Sequence, residues 1–254
     1  MDWDLPAIVL DTRPYGEGDV IATVMTAEHG AHRGLVKGGA SRAQGGVWQA
    51  GNFVQARWLA RLSDQLGSFR GELIHATASS VMDDPLALGM LTAVCSVTED
   101  ALPEREPHDP VFAGLIALLP RLMLGEAVLP ELIQWETVLL AELGFGLDLS
   151  ICAVTGETEG LAFVSPKTGR AVTAEGAGLW SSRLLPLPGF LTGDPEAGNT
   201  RPGPEDWCAG LRLTGHFLTR DVFGARHRPL PMARQMLYDR VAAMVAESEN
   251  QDAG

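Results

Sequence analysis

The spacing of apolar positions divides the chain into segments, and the first of them follows the two-residue period of β-strands. Five short β-favouring runs are separated by Gly, Asp, Ser or Pro, and they predict strands at Ala7–Arg13, Val20–Thr26, His32–Lys37, Asn52–Leu62 and Gly67–Ile74. The fourth run alternates most clearly, and the face expected to be buried holds Val54, Ala56, Trp58, Ala60 and Leu62. This α+β chain should therefore begin with a small closed barrel of the OB type, with an SH3-like barrel as the alternative.

From residue 83 the apolar positions change to the helical period. Asp84-Pro85 and Asp109-Pro110 are each typical of an N-cap followed by proline, and apolar residues at helical spacing follow both. Further helices are expected at Pro130–Leu143, ended by Gly144, and at about Glu205–Phe223 and Pro231–Glu247. The apolar stripes of these helices should pack on one another. Between them, Ser165–Gly169 is typical of the turn of a hairpin.

Charge is distributed unevenly along the chain. The formal charge is −13, and residues 76–160 contribute 14 acidic and only two basic side chains. By contrast, the stretch from His29 to Ser63 holds five Lys or Arg residues and no Asp or Glu. A cationic sheet face on an acidic protein suits a polyanion, and the first candidate is a nucleic-acid backbone bound through a local patch. The alternative is a solvated face that keeps the barrel soluble.

Seven residues form the predicted DNA-contacting set. Alternate residues of a strand share a face, so Arg33 with Lys37 and Arg57 with Arg61 should project in pairs. Trp48 lies in the loop GGASRAQGGVWQAG, which is rich enough in glycine to be mobile, and it either stacks on a base or plugs the barrel end. The full set is Arg33, Lys37, Arg42, Trp48, Arg57, Arg61 and Arg70.

A second cationic group is expected on a helix. Arg212, His216 and Arg220 recur every fourth residue and would form one stripe. This stripe suits a phosphate or an acidic peptide, and a solvated helix face is the alternative.

Several classes of function are disfavoured. The three cysteines lie far apart without a CxxC pair, which argues against a disulfide framework and a zinc ribbon and fits a reducing cytoplasm. No basic region precedes the first apolar run, and no stretch of 18 apolar residues predicts a membrane span. His29-x-x-His32 has poor metal spacing. Without a P-loop, a GxSxG motif or a nucleophile–base pair, the sequence predicts neither an enzyme nor a cofactor.

Five segments in order resemble the RecO family of bacterial recombination mediators over nearly the whole chain. They are AIVLDTRPYGEGDVIATVMTAEHGAHRGLVKGG, QAGNFVQARW, MDDPLAL, LLAELGFGLDLSICAVTG and RLTGHFLTRDVF. The resemblance implies an OB domain at 1–80, a helical domain in two parts at 81–150 and 181–254, and a zinc-finger-like hairpin insert at 151–180.

The resemblance also implies function and partners. Proteins of the RecO family bind single- and double-stranded DNA, anneal complementary strands, act with RecR, engage the C-terminal tail of single-stranded DNA-binding protein and help to load RecA at gaps. A cytoplasmic, nucleoid-associated location without membrane contact follows from the same resemblance. It places the tail site on the helical domain, for which Arg212, His216 and Arg220 are the candidates.

Many members of the family hold zinc in the insert through four cysteines. In this chain only Cys152 remains, Thr155 stands at the second position, and Thr173 and Gly176 stand approximately at the last two. One thiolate cannot hold a structural zinc ion, so no metal is expected. Packing of Leu161, Phe163 and Val172 should hold the insert instead.

Two other classes of function remain open from the residues alone. An OB domain on a helical scaffold could bind RNA in translation, and the basic face could bind an acidic protein in an assembly scaffold. Competition between matched RNA and DNA oligomers separates RNA binding from DNA binding, and for the assembly scaffold nucleic acid should not compete with the acidic protein.

Overall fold

Five strands close into a barrel at the start of the chain because their alternate apolar side chains fill its interior. A computed structural model describes residues 1–62, 64–126, 128–192 and 202–252. The strands are β1 (Asp2–Tyr15), β2 (Asp19–Thr26), β3 (Gly30–Val36), β4 (Phe53–Leu59) and β5 (Ser68–His75). They follow the order β1-β2-β3-β5-β4 around the barrel, with β3 and β5 parallel and the other neighbours antiparallel. This is the expected OB-type barrel, and the expected α+β class is confirmed.

The barrel core matches the alternation of β4 for all but its last position. Val54, Ala56, Trp58 and Ala60 are buried in one cluster with residues from the other four strands. Leu62, expected in the same row, is 51% exposed. Because β4 ends at Leu59, the alternation no longer fixes which way the side chain of Leu62 faces.

Four helices follow or interrupt these strands within the first compact unit, Met1–Val128. They are α1 (Arg42–Gly45), α2 (Thr77–Ser80), α3 (Pro85–Ala101) and α4 (Asp109–Met123). The expected cap of α3 is confirmed, since Asp84 Oδ1 accepts hydrogen bonds from the amides of Leu86 and Ala87 at 2.8 and 3.1 Å. The expected cap of α4 is wrong by one residue. His108 occupies the cap position and Asp109 lies in the first turn, where its charge favours the helix dipole.

The second compact unit, Leu129–Gly254, combines helices with a small sheet. Its regular elements are α5 (Leu129–Glu142), β6 (Leu161–Val164), β7 (Ala171–Thr173), α6 (Ala174–Ala177), β8 (Leu185–Pro186), α7 (Pro204–Phe217) and α8 (Met232–Asp252). Gly144 follows α5 with φ of +85°, as expected for a glycine after a helix. The predicted hairpin is confirmed in β6 and β7, and β8 adds a third strand.

The helix expected at Glu205–Phe223 changes its winding before its end. After α7, residues Leu218–Phe223 form a π-helical segment.

No helix among the described residues has both the length and the apolar character that a membrane span requires. The predicted domain limits at residues 80, 150 and 180 mark changes from one type of fold to another, whereas the two compact units divide after Val128. These limits stay a prediction.

Candidate nucleic-acid interface

Lys37 and Arg70 line the same cleft on the barrel. Lys37 directly follows β3 and Arg70 lies in β5, and these strands are neighbours through the bridge between Leu35 and Ser68. The cleft has a volume of about 400 Å³ and is lined by Val36, Lys37, Gln44, Ser68, Phe69, Arg70 and Gly71. Both cations are exposed, and neither has a carboxylate partner within the described ranges. The cleft therefore presents two unneutralised charges beside an aromatic ring.

The outer face of the barrel extends this positive surface to Arg57. Arg57 in β4 stands directly opposite Arg70 in β5, so the two guanidinium groups leave the same face. On its other side Arg57 stands opposite Asp4 of β1, and its Nη2 lies 3.5 Å from Asp2 Oδ2. That ion pair is exposed on both sides, so it contributes little to stability and an arriving phosphate can replace it.

Arg33 also lies on the outer face, but two carboxylates already pair with its guanidinium. Its guanidinium is 3.1 Å from Glu104 and 3.7 Å from Glu99, and its side chain is 41% exposed. Glu99 is almost fully buried and is also held by Arg13 Nη2, at 2.8 and 3.0 Å. Burial raises the pKa of Glu99, and the positive charge of Arg13 opposes that shift. Because two carboxylates already face Arg33, we leave it out of the contacts proposed below, and its role in DNA binding stays a prediction.

Trp48 lies inside the barrel rather than on its surface. Its side chain is only 2% exposed and its ring centroid lies 5.7 Å from that of Phe69. Its Nε1 donates to Gln44 Oε1 at 3.1 Å, and a Cβ added at Gly71 would come within 2.7 Å of the indole. Of the two roles that the sequence left open, Trp48 plugs the barrel and cannot stack on a base.

The glycine-rich loop around Trp48 is tied down rather than free to close over a ligand. Residues Arg42–Gly45 form α1, and Ser41 caps it by accepting from the amide of Gln44. Asn52 Nδ2 donates to the carbonyls of Gly46 and Val47 at 2.9 and 3.2 Å. A glycine-rich sequence permits mobility, but a buried indole and a buried amide fix this loop.

Arg42 and Arg61 are the remaining cations of the predicted set. Arg42 is exposed at the start of α1, and Arg61 is exposed two residues after β4. Neither forms an ion pair in the part of the chain that the structure describes. The barrel therefore offers five cations for a polyanion: Lys37, Arg42, Arg57, Arg61 and Arg70.

The predicted stripe on α7 lines a separate cavity in the second unit. This cavity has a volume of about 510 Å³ and is lined by Leu185, Leu211, Arg212, Gly215, His216, Thr219, Arg220, Leu230, Arg234, Gln235 and Tyr238. Arg212 is exposed at its rim. The cavity combines leucine side chains with several cationic ones, as a site for an acidic peptide with an apolar end requires.

The other two members of the stripe hold the hairpin turn. His216 Nε2 lies 3.0 Å from the carbonyl oxygen of Pro166, and Arg220 Nη1 donates to the same oxygen and to that of Lys167. Arg220 is also paired with both carboxylate oxygens of Asp221 at 2.7 Å. These contacts leave Arg212 as the stripe residue whose charge is available to a ligand.

Arg234, which lines this cavity, belongs to a buried ion pair that sequence reasoning missed. Arg234 Nε and Nη2 donate to Glu136 at 2.5 and 2.9 Å, and both side chains are 1% exposed. Thr214 donates to the same carboxylate, and Arg234 Nη2 also donates to the carbonyl of Leu211. The available signal was Glu136 itself, a carboxylate within the apolar stripe of α5.

The three positions that the resemblance assigns to the other zinc ligands lie close to Cys152, the one thiol of the insert. The amides of Thr155 and Thr173 each donate to Cys152 Sγ at 3.3 Å, and a Cβ at Gly176 would lie 3.2 Å from that sulfur. Burial opposes ionisation of the thiol, but the hydrogen bonds from Thr155 and Thr173 outweigh it and lower the pKa of Cys152 to about 6. Threonine hydroxyls and glycine are not zinc ligands, so these residues do not fit the metal. The described residues contain no cluster of three or more His, Cys, Asp or Glu side chains suited to a metal ion.

The core of the insert agrees with the expected packing. Cys152, Val172 and Ala177 are buried together, and Leu161, Phe163 and Leu184 pack against them. Three of these residues are the ones that the sequence assigned to hold the insert.

Comparisons with known proteins match almost the whole chain. The family model described as "Recombination protein O N terminal" matches residues 1–77, and "Recombination protein O C terminal" matches residues 82–230. A DNA repair protein RecO from Granulibacter bethesdensis is 56% identical over 254 residues, which is 100% of both chains. Those from Acidiphilium cryptum and Gluconacetobacter diazotrophicus are 52% and 48% identical, and each alignment covers at least 95% of both chains.

Proposed function

The chain belongs to the RecO family of DNA repair proteins, and on that premise we propose that it is a non-enzymatic recombination mediator that binds DNA and anneals complementary strands. It would bind single and double strands through the outer face of its barrel. The cleft between β3 and β5 supports this proposal most directly, because Lys37 and Arg70 are exposed there without carboxylate partners among the described residues.

The proposed contacts run from this cleft across the barrel face. Lys37, Arg57, Arg61 and Arg70 would each neutralise a phosphate, and Arg42 on α1 would add to the local potential. Four phosphate contacts correspond to a slope of log affinity against log salt of roughly −3 for single strands, at about −0.7 per contact. An acidic protein can bind DNA in this way because the repulsive charge lies mainly in residues 76–160, outside the barrel.

Annealing follows from contacts of this kind. Cations on a sheet face screen the repulsion between two strands, and Trp48, for which base stacking was one of two expected roles, is buried. Bases held only through their phosphates remain free to pair with a second strand.

We also propose that the cavity on α7 and α8 binds the C-terminal tail of single-stranded DNA-binding protein. Its leucine side chains would take the apolar end of the tail and Arg212 would pair with an acidic residue. Arg212→Ala should weaken binding of a synthetic tail peptide, whereas Arg240→Ala, an exposed arginine on α8 outside the cavity lining, should not. Equal affinities of the two variants would contradict this assignment.

The family relationship further supports action with RecR, loading of RecA at gaps and a nucleoid-associated place in the cytoplasm. These steps need partner contacts, and they extend the DNA-binding proposal without being required by it.

An annealing assay with complementary oligomers tests the proposal. The double variant Lys37→Glu with Arg70→Glu should lose most single-strand affinity and annealing, because it reverses both charges of the cleft. Two lost contacts should also reduce the salt slope by roughly 1.4 units, at about 0.7 per contact. Arg240→Glu is the control, since it reverses one charge, half of the change in the double variant, on an exposed residue of α8 outside the cleft.

Unchanged affinity in the double variant, with an unchanged melting temperature, would overturn the proposal. Stronger competition by matched RNA than by DNA would favour the RNA-binding alternative instead.

A further inference from the structure

Two large apolar side chains of the insert take no part in its core. Leu179 is 100% exposed and Trp180 is 62% exposed, although the buried cluster around Cys152 lies in the same insert. Both residues lie in the 3-10 turn Gly178–Arg183, which follows α6 directly. Exposed apolar side chains that lie next to each other on a structured element are candidates for a binding site.

The backbone, rather than a loose chain end, holds these side chains in solvent. α6 ends at Ala177, and the next residue, Gly178, has φ of +47°. Residues that carry a Cβ rarely adopt this backbone conformation. The turn is closed by a hydrogen bond from the amide of Leu184 to the carbonyl of Ser181, at 3.1 Å. The positive φ at Gly178 therefore sets the direction in which the following turn leaves α6.

Arg183 stacks on the exposed ring. Its Cζ lies 4.9 Å from the centroid of the Trp180 indole, which is cation–π geometry. In the same unit, Arg170 and Arg220 are paired with Asp148 and Asp221. Arg183 has no carboxylate partner among the residues that the structure describes. The turn thus carries an ordered aromatic ring beside an unneutralised cation.

We propose that Trp180 and Arg183 form a second contact for single-stranded nucleic acid, separate from the barrel. A base would stack on the exposed part of the indole, and a neighbouring phosphate would pair with the guanidinium. This inference rests on the proposed DNA binding and adds a site to it. The indole and the guanidinium together suit a ligand in which a planar group is joined to an anion. A single strand supplies both, as a base and a phosphate, because its bases are not stacked inside a duplex.

An apolar protein surface fits this turn less well. It would bury the Arg183 guanidinium without supplying an opposite charge, and that desolvation is costly. An acidic peptide would remove the objection, so it is the competing occupant in the test.

Tryptophan fluorescence tests the proposal in the full-length protein. Long oligo(dT) should quench the wild-type emission, and Trp180→Phe should lose that quenched component while retaining most of the affinity, because phenylalanine can still stack. Trp180→Ala should weaken oligo(dT) binding by about tenfold. Arg183→Gln should reduce the salt slope by about 0.7, the value of one phosphate contact.

Met232→Ala is the control, because it removes an exposed apolar side chain from α8, outside this turn, and should leave the affinity unchanged. The proposal is overturned if oligo(dT) binds while the emission of Trp180 and its quenching by acrylamide do not change. It is overturned in favour of a protein partner if an acidic synthetic peptide shields the ring and oligo(dT) does not.

The variant Lys37→Glu with Arg70→Glu separates this inference from the proposed function. If wild-type protein does not bind oligo(dT) at all, both proposals fail. If binding depends on Lys37 and Arg70 but not on Trp180, only the contact at the insert fails.

Discussion

The imidazole of His32 lies edge-on against the indole of Trp58, with 4.6 Å between the ring centroids. Trp3 packs on it from another side at 5.5 Å, and neither imidazole nitrogen has a hydrogen-bond partner among the described residues. Burial, together with the positive charges of Arg105 and His29, lowers the pKa of His32 to about 4. A neutral histidine thus belongs to the aromatic end of the barrel core.

This pair predicts a loss of stability in mild acid. Below pH 6.5, the ordinary pKa, His32 is protonated in the unfolded chain. In the folded barrel it stays neutral until the pH falls to about 4. The free energy of unfolding should therefore fall between pH 6.5 and pH 4, by up to about 3 kcal/mol at 1.36 kcal/mol per pH unit. Urea unfolding of His32→Phe should show a flatter pH dependence. His227→Asn, at an exposed histidine, is the control, and equal slopes in both variants would contradict the prediction.

Arg33 should matter for stability more than for DNA binding. Arg33→Ala removes one of the two cations that face the buried carboxylate of Glu99, and the expected cost is about 1 kcal/mol because the pair is partly exposed. Lys37→Ala should show the opposite pattern, with lower affinity and an unchanged melting temperature. A filter-binding assay and thermal unfolding of both variants check this, and a larger affinity loss for Arg33→Ala would restore Arg33 to the contact surface.

Trp48 should be a structural residue. Trp48→Ala leaves a cavity against Phe69 and Gly71, and we expect a loss of about 3–5 kcal/mol, whereas Trp48→Phe should cost less. Single-strand affinity measured well below the melting temperature should be nearly unchanged in Trp48→Phe. A large affinity loss in this variant without a loss of stability would instead indicate base stacking.

Removing one partner of the buried pair between Arg234 and Glu136 should destabilise the protein more than removing both partners. Arg234→Met leaves a carboxylate buried without its cation, at an expected cost of about 3–5 kcal/mol. The double variant Arg234→Met with Glu136→Leu should recover much of that loss, since no unpaired charge remains. Denaturant unfolding of the two single variants and the double variant measures the coupling. A double variant as unstable as the sum of the single ones would contradict this account.

The insert should regain a metal site when its ligand positions regain cysteines. The variant Thr155→Cys, Thr173→Cys and Gly176→Cys would surround Cys152 with three thiolates, because all three positions already lie around its sulfur. Cobalt binding should produce thiolate charge-transfer absorption in this variant. The same variant with Cys152→Ser is the control, and absorption of equal strength there would contradict the geometry.

The sequence predicted the local elements because their causes lie within a few residues. β-favouring runs between turn residues predicted all five strands of the barrel, and the Asp84-Pro85 pair predicted where α3 begins. Its errors are also local: the cap of α4 moved by one residue, and Leu62 left the core when β4 ended early. Lys37 and Arg70 were predicted as exposed cations, but their common cleft depends on the parallel pairing of β3 and β5.

The sequence alone thus determined the five barrel strands, the approximate positions of the longer helices, the hairpin and the resemblance to the RecO family. Only the tertiary structure decided which cations remain free. Arg33 is neutralised by Glu99 and Glu104, both far along the chain on and after α3, and Arg234 meets Glu136 across 98 positions. Charge neutralisation and burial depend on side chains that are close in space but distant in sequence, and no local period records those distances.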